Sequence, residues 1–363
     1  MRDYLNRARR RPVRHFARVS AAGLALLAGA ALGEGFRFNV PGNLLISDQF
    51  NNRVIEVSPG GAIVWQFGLG PNDVSAHSVV GVNDAQRVGW ATLMAGTGAP
   101  PGTEPLCPSG CADNRVLLVN PTGRIIWQYG EFGVTGSGPD QLNTPVQNTW
   151  TPRQTVLITD QGNQRVIEVN LRKEIVWQYG QAGVAGSGPG QLNNPNSAEL
   201  LENGHILIGD ENNNRAIEVD RRHNIVATFT AGGSVSGVAF ASRLPDGHTL
   251  ITDSNNNRIV EVDAHDQVVW QYFTNLEAGS NPAPLPTRAV RTRDGHTIIS
   301  DQFNHRVIVI NKAGTILARY GNLNSPGYGT GNTSQGLNGP YDAKRIGDYT
   351  GLTPPFDLDD LLR

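Results

Sequence analysis

The chain has 363 residues, with 43 glycines, 22 prolines and a charged fraction of only 17%. That mix suits many short strands joined by tight turns and argues against a helical bundle or a coiled coil. A compact β domain of this length requires repetition, because a single hydrophobic core stops growing near this size.

The first 33 residues differ from the rest. Arg2, Arg7, Arg9, Arg10, Arg11, Arg14 and Arg18 form a basic stretch, and residues 21–32 form an apolar run too short to span a bilayer comfortably. Small residues Ala31 and Gly33 stand where a signal peptidase would cut. This reads as a cleavable secretory signal peptide over residues 1–33, which would place the mature protein outside the cytoplasm, secreted or periplasmic. An uncleaved anchor is the alternative. The segment holds seven arginines and one acid, so the remainder carries 23 basic and 31 acidic residues, a net charge of −8. An acidic body does not suit phosphate backbones, and no nucleic-acid partner is expected.

From residue 43 onward the chain repeats. Residues 43–68 read NLLISDQFNNRVIEVSPGGAIVWQFG, and residues 155–180 read TVLITDQGNQRVIEVNLRKEIVWQYG. Further copies occupy 205–230, 248–273 and 296–321, and a degraded copy occupies 113–130. One arginine marks each copy: Arg53, Arg115, Arg165, Arg215, Arg258 and Arg306, at gaps of 62, 50, 50, 43 and 48 residues. The long first gap holds Cys107 and Cys111. In an exported chain two cysteines four residues apart imply a small disulfide loop rather than a metal site, which would need further ligands nearby.

Within one copy, residues 205–209 alternate as a strand and the Asn-rich stretch after Asp210 is a tight turn. Residues 215–219 form the next strand and residues 225–229 the outer one. Residues 195–202 supply an inner strand before them. The expected fold is all-β: a six-bladed β-propeller of four-stranded antiparallel blades over residues 34–348, with a tail at 349–363. The first copy lacks an inner strand, and residues 337–346 look like an inner strand with nothing after it. The N- and C-terminal strands are therefore expected to share one blade and close the ring. Asp and Arg recur five residues apart, as Asp48/Arg53, Asp160/Arg165, Asp210/Arg215, Asp253/Arg258 and Asp301/Arg306. Their repetition marks them as corner locks rather than catalysts. Trp65, Trp127, Trp177 and Trp270 each follow the marker arginine by twelve residues, with Ala227 and Ala318 in the other two copies, and read as packing between blades.

The loops GSGPDQL at 136–142 and GSGPGQL at 186–192, with Pro145 and Pro195 and the D-x-x-N-x-R turns, resemble the NHL repeat. The stretch 245–253, followed by Glu261 and Trp270, is similar to bacterial arylsulfotransferase repeats. The resemblance implies a propeller and leaves the activity open.

Function is expected where unlike residues converge near the ring axis, at the start of the inner strands. Aligning the copies selects His77 and Ser78, Gln147 and Asn148, Asn196 and Ser197, Ala239 and Phe240, Thr287 and Arg288, and Tyr341 and Asp342. The resemblance to NHL amidating lyases implies axial zinc on inner-strand histidines, for which His77 alone offers an imidazole. Three ligands are needed for a catalytic zinc site, so zinc is disfavoured. Calcium has oxygen candidates in Asp342, Asn196 and Asn148. No cofactor is expected beyond such an ion. The other histidines read as turn residues: His205, His248 and His296 before the second strand, His223, His265 and His305 in outer turns. The leading functional expectation is a monomeric exported module that binds a protein, peptide or glycan on one ring face, with no membrane span in the mature chain. The alternative is a lyase, lactonase-type hydrolase or sulfotransferase with His77, Arg288, Tyr341 and Asp342 on the axis.

Overall fold

A computed structural model describes residues 38–329 and 333–348. The leader expected over 1–33 and the tail expected over 349–363 lie outside the described residues. Six four-stranded antiparallel sheets follow one another along the chain. Blade one contains β1 (Leu44–Asp48), β2 (Arg53–Val57) and β3 (Ile63–Phe67). Blade two contains β4 (Val82–Val88), β5 (Ala91–Gly96), β6 (Arg115–Val119) and β7 (Ile125–Tyr129). Blade three contains β8 (Pro145–Trp150), β9 (Thr155–Asp160), β10 (Arg165–Asn170) and β11 (Ile175–Gly180). Blade four contains β12 (Pro195–Leu200), β13 (Ile206–Asp210), β14 (Arg215–Val219) and β15 (Ile225–Phe229). Blade five contains β16 (Val238–Arg243), β17 (Thr249–Asp253), β18 (Arg258–Val262) and β19 (Val268–Phe273). Blade six contains β20 (Arg288–Arg291), β21 (Thr297–Asp301), β22 (Arg306–Ile310) and β23 (Ile316–Gly321). The last strand, β24 (Pro340–Arg345), pairs antiparallel with β1 from Leu44↔Arg345 to Asp48↔Pro340 and completes blade one.

Among the described residues no central core exists. The apolar residues form six clusters, one per seam, each drawing on two neighbouring blades. A blade buries its faces only against its neighbours, so every seam depends on the ring being complete.

The marker pairs lock the corner between second and third strands. Arg Nε lies 2.6–2.8 Å from the Asp carboxylate in Asp48/Arg53, Asp160/Arg165, Asp210/Arg215, Asp253/Arg258 and Asp301/Arg306. A short 3-10 turn joins the two residues and ends on a left-handed residue, at Asn52, Gln164, Asn214, Asn257 or His305. Asparagine tolerates that conformation, which is why three of these five turns read N-N-R. The degraded second blade keeps the lock by another route. Gly96 occupies the aspartate position opposite Arg115, and Asp113 supplies the carboxylate. A Cβ on Gly96 would meet the Asp113 carboxylate at 2.4 Å, so glycine and the displaced aspartate require each other.

The other aspartate oxygen anchors the approach to the inner strand by accepting a backbone N–H: from Asn338 at Asp48, Asn143 at Asp160, Asn193 at Asp210 and Ser236 at Asp253. In blade six the equivalent residue is Pro284, whose carbonyl accepts from Phe303 as its counterparts do. Proline has no N–H, and Asp301 Oδ1 has no partner. Burial, opposed by Arg306, pushes Asp301 up to about 6.

A second device clamps the seams. At blades one and two, Arg87 lies 2.6 Å from Glu56 and stacks 4.3 Å from the Trp65 ring centre. Arg291 repeats this on Glu261 and Trp270, and Arg243 on Glu218 and Phe229. Arg221, from an outer turn, takes the part on Glu168 and Trp177. Between blades two and three both charges are gone: Leu118 and Trp150 stand in their places and pack together with Trp127. The tryptophan indoles also donate across the seam, Trp65 to the Pro121 carbonyl and Trp270 to that of Lys312. The sequence expectation of inter-blade packing is met.

Two outcomes follow. A chain ending at Leu337 leaves β1 with an open edge and should melt far below the full chain or fail to fold; an unchanged thermal melt would refute closure by β24. Pro284→Ala should restore a donor to Asp301. Its carboxyl, followed by NMR, should then titrate below its wild-type position near pH 6 while staying above 3.8, as burial holds Asp48 and Asp160 raised even with their donors. Because the folded-state value lies above the ordinary 3.8, wild-type stability from this group is full below about pH 4 and is lost as pH rises through 6, a slope the variant should flatten.

Candidate functional site

The inner strands are edge strands facing the axis, and edge N–H groups need partners. Side chains from the neighbouring blade supply them. Asp84 Oδ2 accepts from Asn148 N, Gln147 Oε1 from Ala198 N, Ser197 Oγ from Ala241 N, and Asp342 Oδ2 from Ala85 N. Deeper along the axis, Gln86 accepts from Trp150 N and Glu199 from Arg243 N. Burial, opposed only in part by the Arg243 backbone N–H and charge, holds the Glu199 carboxyl well above the usual range.

A bulge opens most inner strands and turns two successive residues inward, as between Pro195 and Ser197, and between Val238 and Phe240. Arg288 uses the space this creates. Its Nη1 donates to the carbonyls of Ala239 and Thr287 and to Asn196 Oδ1, and its Nη2 to the carbonyls of Val146 and Asn196. One side chain of blade six thus reaches blades five, four and three. Its guanidinium lies 5.0 Å from the ring centres of both Phe240 and Tyr341. Tyr341 donates its hydroxyl to Asn196 Oδ1, and Asn196 donates to Glu211 at the mouth. Burial raises Tyr341, opposed by Arg288, so it remains a neutral donor. Burial likewise raises Glu211, opposed by the Asn196 amide and Arg288.

A second network sits beside the first. Lys344 Nζ lies 2.6 Å from both Asp84 Oδ1 and Asp342 Oδ2 and donates to the Ala85 carbonyl. Two carboxylates share one ammonium in a buried place. Burial, relieved by Lys344 and worsened by Asp84, pushes Asp342 up to about 6.

The structure brings Gln147, Asn196, Ser197, Arg288, Tyr341 and Asp342 to the inner ring, together with Ala239, Phe240 and Thr287. Asn148 lies one place further along β8, where the five other blades carry alanine, and it bonds Asp84. His77 requires correction. It is exposed in the loop before β4, and Ser78 beside it accepts from Leu69 N through its hydroxyl. The axial pair of blade two is Asn83 and Asp84. The disulfide loop, with Cys107 bonded to Cys111, lengthens the connection between β5 and β6, so distance from Arg115 no longer locates the inner strand. The polar sequence of β4 (VNDAQRV) also hides it. His305 is corrected too: it ends the 3-10 turn after Asp301, and its Nδ1 accepts from Gly339 N. Sequence reasoning missed Asp84, Lys344 and Glu211; the signal for Lys344 was a lysine at an inward position of β24.

Asn196 belongs to the Arg288 network, while Asn148 and Asp342 belong to the Lys344 network. Among the described residues one group of three metal-type ligands exists, Asp246, His248 and Glu261 in blade five, and there Glu261 already holds Arg291.

The strand directions put the connections between blades, and those between second and third strands, on one face of the ring. These loops and turns (49–52, 68–81, 97–114, 130–144, 161–164, 180–194, 211–214, 230–237, 254–257, 274–287, 302–305 and 322–339) contain no lysine or arginine. Exposed Leu69, Leu106, Val184, Leu276 and Tyr328 all lie in them. The opposite face carries the charged turns, with Arg124, Arg153, Arg172 and Arg222 among Asp and Glu.

No protein-family model matches the sequence, and a search of curated proteins gives no match. Solved structures are similar in fold. A protein of unknown function from Bacteroides caccae aligns over 77% of this chain and 93% of its own, at 13% identity and a TM-score of 0.53. A catalytically inactive virginiamycin B lyase from Staphylococcus aureus with quinupristin aligns over 79% and 86%, at 12% identity and 0.50. The WD40 β-propeller domain of Doa1 aligns over 79% and 87%, at 13% and 0.47. Likeness at such identities concerns the fold alone.

Lys344→Met leaves two buried carboxylates without their cation and should cost about 3–5 kcal/mol in denaturant unfolding. The deficit should shrink as pH is lowered, since protonation removes the uncompensated charge.

Proposed function

We propose that this chain is an exported binding module that holds a protein, peptide or glycan on its loop face. One observation carries the reading: the two axial cations are committed to groups of the ring itself, with Asn148 Oδ1, Arg288 Nε and Asp342 Oδ1 the polar atoms left without a partner there. Arg288 joins blade six to blades five, four and three, and Lys344 neutralises Asp84 and Asp342. His77, the one imidazole expected on the axis, is an exposed loop residue. Binding is thereby left to the rim, where the loops offer exposed apolar residues and no basic side chain. The disulfide fits an oxidising compartment, and no helix among the described residues is long and apolar enough to cross a membrane.

A second reading, an axial enzyme, draws on Asp342, whose carboxyl is poised at about 6. The full chain separates the two readings when probed with a glycan array and a displayed-peptide library. A ligand bound without turnover, and lost at least tenfold in Leu276→Asp/Tyr328→Asp but kept in Arg153→Asp/Arg222→Asp, supports the module. Turnover of a bound probe that disappears in Asp342→Asn would overturn it.

A further inference from the structure

Resting on the reading that the loop face binds a ligand, we propose that the ligand is a neutral oligosaccharide seated across blades six and one on the rings of Phe50 and Phe303.

The two phenylalanines occupy the same place in the repeat, the second residue of the 3-10 turn after the marker aspartate. Gly162, Asn212 and Asn255 stand there in blades three, four and five, and both asparagines are exposed. The position therefore belongs to the surface of the loop face and needs no apolar side chain to fold. Only the adjacent blades one and six carry an aromatic ring at it. The rings stack at 6.3 Å between centres with planes 25° apart. Both are half-buried rather than enclosed. We take the two neighbouring rings, at a shallow angle to each other, as a shelf for a flat ligand. The apolar C–H faces of sugars pack against such surfaces, as other flat ligands do.

Hydrogen-bonding groups lie beside the shelf. Gln302 precedes Phe303 and donates to Gln49, which precedes Phe50 and donates in turn to Asn83, at 2.7 and 2.8 Å. This chain of planar amides places the Gln302 carbonyl at one end and the Asn83 amino group at the other. Amides pair with hydroxyls as donor and acceptor at once, which suits a sugar better than an ion. Tyr328 and Leu276, the two most exposed large apolar side chains among the described residues, come from the loops flanking these blades. The backbone beside Tyr328 is fixed: Gly329 donates to the Gly336 carbonyl and accepts from Arg53.

Charge decides the class of glycan. No loop or turn of this face holds lysine or arginine. Its nearby acid, Glu277, is committed to Arg306 and Arg319. The cations that reach this place, Arg306 and Arg319, are both paired with Glu277, so uronic, sulfated or phosphorylated chains would find no unpaired cation and the ligand is uncharged.

The test uses the full chain and four probes, the hexaoses of glucose, N-acetylglucosamine, mannose and galactose, by calorimetry and saturation-transfer NMR. At least one should bind saturably. Phe50→Leu and Phe303→Leu, which keep apolar volume and lose the flat face, should each weaken it fivefold or more with unchanged melting. Phe303→Tyr and the distant Val184→Ala should bind as wild type. Absence of binding to all four hexaoses, or affinity indifferent to both Leu variants, overturns the inference. So does binding restricted to sulfated sugars. A displayed peptide held on the loop face, with no hexaose bound, would sink the glycan while leaving the binding module standing. Turnover of a hexaose would sink the module itself.

Discussion

A four-stranded blade has two wide faces and cannot bury either by itself. Each of the six apolar clusters is shared between two blades, so the cost of an open ring is not one lost contact but two exposed blade faces. The pairing of β24 with β1 removes those faces by making the last segment of the chain part of its first blade. The corner locks, the seam clamps and the axial networks all presuppose that closure, because each joins residues of different strands or blades whose spacing the ring sets.

Within the ring the repeat tolerates substitution when a neighbour changes with it. Gly96 gives up the aspartate of the corner lock, and Asp113 refills the same space from the other side of the loop. Leu118 and Trp150 replace a buried glutamate and its arginine together, so neither charge is stranded. Pro284 is the exception. It removes the backbone donor, and Asp301, whose carboxyl burial already pushes up, lacks the backbone hydrogen bond that opposes burial at Asp48 and Asp160. Such pairs follow from the low dielectric of the seams, where a lone charge is costly and a matched pair or an apolar pair is not.

The same reasoning divides labour between axis and rim. On the axis, edge N–H groups take up acceptors from the next blade, Arg288 takes up carbonyls from three blades, and Lys344 takes up two carboxylates. These groups rigidify the centre. The loop face is different: its connections lack basic residues and bear Leu276, Tyr328 and the Phe50–Phe303 pair without any repeat-wide reason for them.

The sequence by itself determined the blade count, the four-strand module, the closing strand, the corner pairs and the small disulfide, because each is written as a local pattern recurring at a fixed spacing. It also placed Asn196, Ser197, Arg288, Tyr341 and Asp342 on inner strands, since their distance from the marker arginine, or from the chain's last turn, is preserved. Tertiary structure alone decided what those residues do. A repeat fixes where a side chain starts, whereas its partners come from other blades: Arg288 meets Val146, 142 positions away, and Lys344 meets Asp84, 260 away. His77 failed for the complementary reason. An inserted loop broke the spacing that carried the alignment, and only hydrogen-bond register could show that blade two begins its inner strand at Val82.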